Sequence, residues 1–258
     1  MIAQLLIGLL AAGLVSTLAA KAGALRRSGA IAAVLVGAPV YAAGGITWSA
    51  LLLVFFLSGS ALSRLPTPHG GRIVEKTGGR DWAQVFANGG APALIAAASL
   101  FHPLDLWSTA FAGSLAAATG DTWATEIGSR ASGSALQITT LRPVPAGTSG
   151  GISLPGTVAA ATGALVLAAA AIFFAPAVNW PVVAVSGFAG SVIDSLLGAT
   201  LQEVRYCPVC GAETEQRLHA PCGTRTTWLR GLRFMNNDAV NLLATATAAV
   251  LALGGASL

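Results

Sequence analysis

Apolar residues fall along this chain in long stretches broken by short polar or charged connections. Crossing about 30 Å of hydrocarbon takes roughly 20 mostly apolar helical residues. Eight stretches meet that need: 2–20, 28–44, 46–63, 82–101, 104–127, 153–176, 180–203 and 237–256. The second and third are short and nearly continuous, so they read as two crossings or as a re-entrant pair. The pattern predicts an all-α polytopic membrane protein, one membrane domain over residues 1–258, with a polar loop at 204–235.

The placement of charge sharpens this picture. All 14 Lys and Arg residues lie in four connections: Lys21 to Arg27, Arg64 to Arg80, Arg130 to Arg142, and Arg205 to Arg233. The connections at Gly45, His102–Asp105 and Ala177–Asn179, and both ends of the chain, carry none. By the positive-inside rule the charged loops face the cytoplasm and both termini lie outside, as expected for a bacterial inner-membrane protein. The first stretch has no basic residue before it and reads as a retained helix, although Leu18-Ala19-Ala20-Lys21-Ala22 has the small residues of a cleavage site.

Composition excludes other classes. Charged residues make up 9% and hydrophobic residues 54%, where soluble domains carry about 25% charge. Disorder is excluded on the same ground, and three Cys are too few for a disulfide scaffold. The net charge of +4 marks topology rather than nucleic-acid binding. The 31 Gly suit close helix packing in lipid.

Polar groups inside apolar stretches need partners, and ionisable ones suggest function. Five clusters stand near the charged ends of the stretches. Arg80, Gln84 and Asn88 recur every four residues, with Asp81 beside them; snorkelling and helix-to-helix hydrogen bonding are the plain alternative. Asp121 and Glu126 sit among Gly120, Thr122 and Thr125, a set suited to Mg²⁺ shared with a phosphate chain, or to an ordinary solvated helix end. Arg142, Thr148, Ser149, Gly150 and Ser153 form a Gly/Thr/Ser loop opening into a helix, the composition of an anion site without a Walker motif. Asp194, Gly198 and Gln202 share one face; an ion pair with Arg80 is the structural alternative for Asp194. Asn237, Asp238 and Asn241 open the last stretch, where capping explains one or two of them. Carboxylates to hold Mg²⁺, with cations and amides to hold phosphates, are the parts phosphoryl transfer requires.

All three Cys lie in one loop: Cys207-Pro208-Val209-Cys210-Gly211, then His219 and Cys222-Gly223. Cys-x2-Cys followed by His-x2-Cys supplies four ligands of a structural Zn²⁺ site, with no open position for catalysis.

With those residues located, the chain resembles a membrane family long catalogued as a domain of unknown function that includes plant phytyl-phosphate kinase. The resemblance rests on Gly79-Arg80-Asp81-Trp82-Ala83-Gln84-Val85 with Asn88-Gly89-Gly90, on Gly120-Asp121-Thr122-Trp123-Ala124-Thr125-Glu126-Ile127-Gly128, on Pro145 to Ser153, on Asp194 to Gln202, and on Asn236-Asn237-Asp238-Ala239-Val240-Asn241. The Asp121 block is also similar, more distantly, to an element of CTP-dependent polyprenol kinases. The resemblance implies a kinase that transfers the γ-phosphoryl of a nucleotide, CTP foremost, to an isoprenoid monophosphate such as phytyl or geranylgeranyl phosphate.

On that reading Asp121, Glu126 and Asp194 are catalytic, with Asp238 a further Mg²⁺ ligand. Arg80, Asp81, Gln84, Asn88, Arg142, Thr148, Ser149, Gly150, Ser153, Gln202, Asn237 and Asn241 bind substrate and nucleotide. Partners are the nucleotide, the prenyl phosphate and membrane lipids, with no nucleic acid and with homo-oligomerisation left open. Two other readings stay open: a cytidylyltransferase forming a CDP-lipid, and a cation- or proton-coupled transporter using Asp194 and Asp81.

Overall fold

The computed structural model describes residues 2–65, 78–102, 106–130 and 135–257. Arg72, Lys76 and Asp105, counted above among the connections, lie outside these residues. Seven helices are present among the described residues: α1 (Ile2–Lys21), α2 (Arg27–Ser63), α3 (Trp82–Phe101), α4 (Leu106–Gly128), α5 (Leu154–Phe174), α6 (Trp180–Thr200) and α7 (Asn237–Ala256).

Helix α2 resolves the two short stretches. As one straight rod its 37 residues would span about 55 Å at 1.5 Å per residue, far beyond a bilayer core. Gly45 interrupts it with φ 56° and ψ −142°, a conformation open essentially to glycine alone. The two arms, 27–44 and 46–63, then run back alongside one another. Gly29 near the start and Gly59 near the end both pack against Arg80, and Arg64 Nη2 donates to the Ala22 carbonyl at 2.8 Å. The arms are therefore two crossings joined by a tight turn.

Six of the seven helices are long and apolar enough to cross a membrane by length and composition, α2 counting once. Helix α4 falls short because Asp121, Glu126 and several Ser and Thr dilute it. It needs no apolar outer face, since α2, α3, α5, α6 and α7 surround it. Leu-rich faces of the outer helices, such as Leu6, Leu10 and Leu14 of α1 or Leu165 and Phe173 of α5, stay exposed and form the lipid-facing belt.

Lipid supplies no hydrophobic drive between helices, so the bundle closes through small residues. A side chain added at Gly187 would lie 2.4 Å from Ala116 Cβ, and one at Gly190 would lie 2.5 Å from Ala117 Cβ. Deeper in, Trp48 stacks on Phe111 with ring centroids 4.5 Å apart. Ser114 Oγ donates to the Thr245 carbonyl at 3.0 Å.

The all-α expectation holds for the membrane part, and eight short strands occupy two of the charged connections. Strands β1 (Ala135–Gln137), β2 (Pro143–Val144) and β3 (Gly151–Ile152) make one antiparallel sheet in the order β2-β1-β3. Strands β4 (Val204–Cys207), β5 (Ala212–Thr214) and β8 (Thr227–Arg230) make a second, and β6 (Leu218–His219) pairs with β7 (Thr224–Arg225). Helix α6 stops at Thr200, three residues before the predicted end, because the chain turns into this ribbon. All three sheets sit at the end of the bundle that carries every described Lys and Arg.

Candidate active site

Two carboxylates predicted independently meet at the polar end. Asp121 of α4 and Asp194 of α6 lie within hydrogen-bonding reach of one another. The small-residue contacts explain why: Gly190 packs on Ala117, and each Asp lies one turn further toward the polar end on its own helix. Asp194 Oδ2 is buried and accepts no hydrogen bond, and Asp194 forms no ion pair among the described residues. The structural alternative of an Asp194–Arg80 pair is not what the chain builds.

Two adjacent carboxylates cannot both stay ionised without a counter-charge, so the pair must share a proton or receive a cation. The donor set is all oxygen, with one buried oxygen uncommitted, which suits a hard divalent cation.

Amides face the same interior. Asn88 shares its helical face with Ala91, Pro92 and Ile95, all buried. Asn241 lies one turn from Thr245 on the same face, and Thr245 Oγ1 reaches the Ala87 carbonyl at 3.4 Å. Both amides are half-buried, and Asn88 Nδ2 donates to the Gln84 carbonyl of its own helix at 3.2 Å. Asp238 lies in the first turn of α7. Asn237 precedes it, while Asn236 caps the helix by accepting from the Ala239 N–H at 2.9 Å.

Other predicted residues have local duties. Asp81 and Gln84 form a capping box at the start of α3: Gln84 N–H donates to Asp81 Oδ1 at 3.1 Å, and Asp81 N–H donates to Gln84 Oε1 at 3.2 Å. Arg80 exchanges backbone hydrogen bonds with Ala24 and Arg26. Its guanidinium stacks over Phe55 and Phe56 at 5.2 and 5.5 Å and feels the charge of Glu126.

Glu126 is separated from Asp121 by five residues, which turns it away from Asp194. Its Oε1 accepts from Ser63 Oγ at 2.8 Å, and its Oε2 is paired with Arg130 at 2.8 Å. Arg130 also donates to the carbonyls of Leu62 and Leu65. Glu126 thus straps α4 to the end of α2, an arrangement different from the ligand role expected for it beside Asp121.

The Gly/Thr/Ser loop docks on α6. Gly150 is pressed against Ala199, with room for no side chain, and Gly198 meets the Gly150 backbone. Thr148 Oγ1 donates to the Pro145 carbonyl at 2.8 Å. Ser153 caps α5 by accepting from the Gly156 N–H at 3.2 Å. Arg142 is exposed. Ser149 Oγ donates to Glu215 Oε1 at 2.7 Å, and buried Gln202 donates to the same oxygen at 2.6 Å.

Glu215 was not among the predicted residues. In sequence it lies between Cys210 and His219, and no local motif marks it.

The ribbon carries the Cys/His set. The ligand atoms of Cys207, Cys210, His219 and Cys222 lie within 4.8 Å of one another, the spread a single tetrahedral metal ion gathers. Gly211 (φ 64°) and Gly223 (φ 67°) follow the second residue of each pair in left-handed conformation, and both glycine N–H groups donate back to the pair's first carbonyl, at 2.9 Å to Cys207 and 2.8 Å to His219. Hydrogen bonds from Thr224 and His219 pull the Cys222 thiol down to about 6, while its neighbour Cys222 pushes the Cys210 thiol up to about 11. The ribbon is fastened to the bundle by Arg230, which donates to the Ala199 carbonyl at 3.0 Å, and by the Glu203 N–H to the Met235 carbonyl at 2.7 Å.

Comparison with known proteins fits this architecture. Protein PGR of Arabidopsis thaliana is 30% identical over 272 residues, covering 93% of this chain and 92% of that protein. An uncharacterized membrane protein of the cyanobacterium Synechocystis is 30% identical over 65% of this chain and 68% of its own length. One from the archaeon Methanocaldococcus jannaschii is 30% identical over 70% of this chain and 76% of its own. No solved structure matches. The profile of the family described as "Integral membrane protein DUF92" matches residues 10–249, and the chain belongs to that integral membrane family.

Proposed function

We propose that this protein is a membrane-embedded kinase that moves the γ-phosphoryl group of a nucleoside triphosphate, CTP foremost, onto an isoprenoid monophosphate. The observation that carries the reading is the Asp121–Asp194 pair, half-buried at the polar end of a helical bundle, with a buried and uncommitted Asp194 oxygen. Asp121 and Asp194 would hold Mg²⁺, which supplies charge neutralisation for the phosphate chain. Asn88 and Asn241 would position phosphate oxygens from the neighbouring helices, and exposed Arg142 would draw the nucleotide in. The acceptor phosphate is ionised near neutral pH, so no strong base is needed. Its prenyl tail would lie along the small-residue helix faces while the phosphate reaches the pair. In this reading the site faces the cytoplasm of a bacterial inner membrane, where the nucleotide is found, and the Cys₃His set holds one structural Zn²⁺.

A transporter would need polar groups through the whole thickness. Among the described residues the Asp, Glu, Lys and Arg side chains gather at the polar end. The test is a product assay with purified protein, Mg²⁺, CTP or ATP labelled at the γ-phosphate, and prenyl monophosphates of several lengths. Label in a prenyl diphosphate supports the kinase. Pyrophosphate with a CDP-lipid would replace it by a cytidylyltransferase, and absence of nucleotide binding would remove both.

A further inference from the structure

We infer that Glu215, carried by the Cys/His ribbon, is a positioning residue of the intramembrane cation site and links ribbon metal loading to cation binding at Asp121 and Asp194. The inference rests on the cation reading above and adds a residue and a dependence that the reading does not contain.

Four observations carry it. Glu215 sits between Cys210 and His219, so its backbone is held on both sides by residues of the metal cluster. Its Oε1 is fixed over the end of α6 by Gln202 Nε2 at 2.6 Å and Ser149 Oγ at 2.7 Å, and Gln202 lies just past the end of α6, its N–H donating back to the Leu197 carbonyl at 3.0 Å. Gly198, one turn beyond Asp194, carries no side chain, and the Gly150 backbone and Gln202 Oε1 are the groups nearest to where one would sit. The Glu215 charge acts on the Asp194 carboxylate together with that of Asp121.

The arrangement has a physical consequence. A third carboxylate near two others raises the cost of leaving the site without a cation, and so raises its affinity for one. Glu215 also lines an open cavity of about 600 Å³ formed by the 203–236 connection, whose walls include Arg217, Arg233 and Asn236. Removing the ribbon's metal frees the loop, withdraws the charge and opens the network at Gln202. Partners one step removed from a metal's ligands alter affinity by about 10- to 100-fold when replaced.

The experiment measures Mn²⁺ binding by electron paramagnetic resonance on zinc-loaded, detergent-purified protein, with no substrate present. Glu215→Gln should weaken Mn²⁺ binding by about 10-fold or more, and Glu215→Asp should recover part of it. Glu213→Gln, an exposed charge two residues away, should leave it unchanged. Cys210→Ser should lose zinc by elemental analysis and weaken Mn²⁺ binding to the same degree as Glu215→Gln, with the helical circular dichroism retained. If Glu215→Gln or zinc-free Cys210→Ser binds Mn²⁺ like the wild type while Asp121→Asn does not bind, the inference is overturned and the cation site stands. If Asp121→Asn also binds normally, the cation site itself is wrong and the inference falls with it.

Discussion

Replacing Arg130 by Met separates a structural strap from a reactive carboxylate. The Arg130–Glu126 contact measures 2.8 Å between side chains that are 13% and 10% exposed, so water screens it little. Removing one partner of a largely buried pair costs about 3–5 kcal/mol, because the other charge is left uncompensated, whereas replacing both by apolar groups is often close to neutral. The carbonyls of Leu62 and Leu65 lose a donor as well. They sit at the end of α2, where water can reach them, so their loss adds little. We expect Arg130→Met and Glu126→Met each to cost about 3 kcal/mol, and the double variant clearly less than the sum. The assay is reversible unfolding in mixed micelles, read by Trp fluorescence, on the two single variants and the double. Additive losses would refute the ion pair, because two groups that do not interact show no coupling energy. A folded Glu126→Met variant with no turnover would instead return Glu126 to the reacting groups.

Further outcomes follow from the same geometry. Gly45→Ala forces a side chain into φ 56°, ψ −142° and should destabilise the bundle by about 1–3 kcal/mol, while Gly13→Ala, on open space in α1, should cost nothing measurable in the same unfolding assay. Purified protein should contain one zinc per chain, lost in Cys207→Ser together with ribbon protection in hydrogen exchange. Zinc loading at neutral pH should release protons, since the Cys210 thiol titrates near 11 and must ionise to bind; affinity therefore rises with pH, and calorimetry in two buffers of different ionisation enthalpy measures the release. An affinity independent of pH would contradict thiolate ligation.

The membrane architecture was largely legible in the sequence because hydrocarbon imposes a length on every crossing and the cations mark its ends. Even Gly45 was readable as a break, though only its backbone angles show that the two arms turn back completely. The ends of α5 and α7 fell within two residues of the predicted ones, whereas α6 ended early at Thr200, where ribbon contacts through Arg230 override an apolar run. The Cys/His set was legible because ligand spacing is local.

The pairing of Asp121 with Asp194 was not, since no local rule connects residues on different helices. Their meeting depends on Gly187 and Gly190 fitting against Ala116 and Ala117. Asp81 and Gln84 carry a capping-box spacing that was read as a polar stripe, because a cap and a binding face use the same residue types. Glu215 was hidden for the opposite reason. Its meaning comes from Ser149 and Gln202, on two other segments.

The most direct test of the central claim is phosphoryl transfer by Asp121→Asn and Asp194→Asn in the γ-labelled product assay, on protein whose unfolding midpoint matches the wild type. The account predicts that wild-type protein converts a prenyl monophosphate to its diphosphate in the presence of Mg²⁺ and that both variants fall to the no-enzyme background. Turnover near the wild-type rate in either folded variant would contradict it.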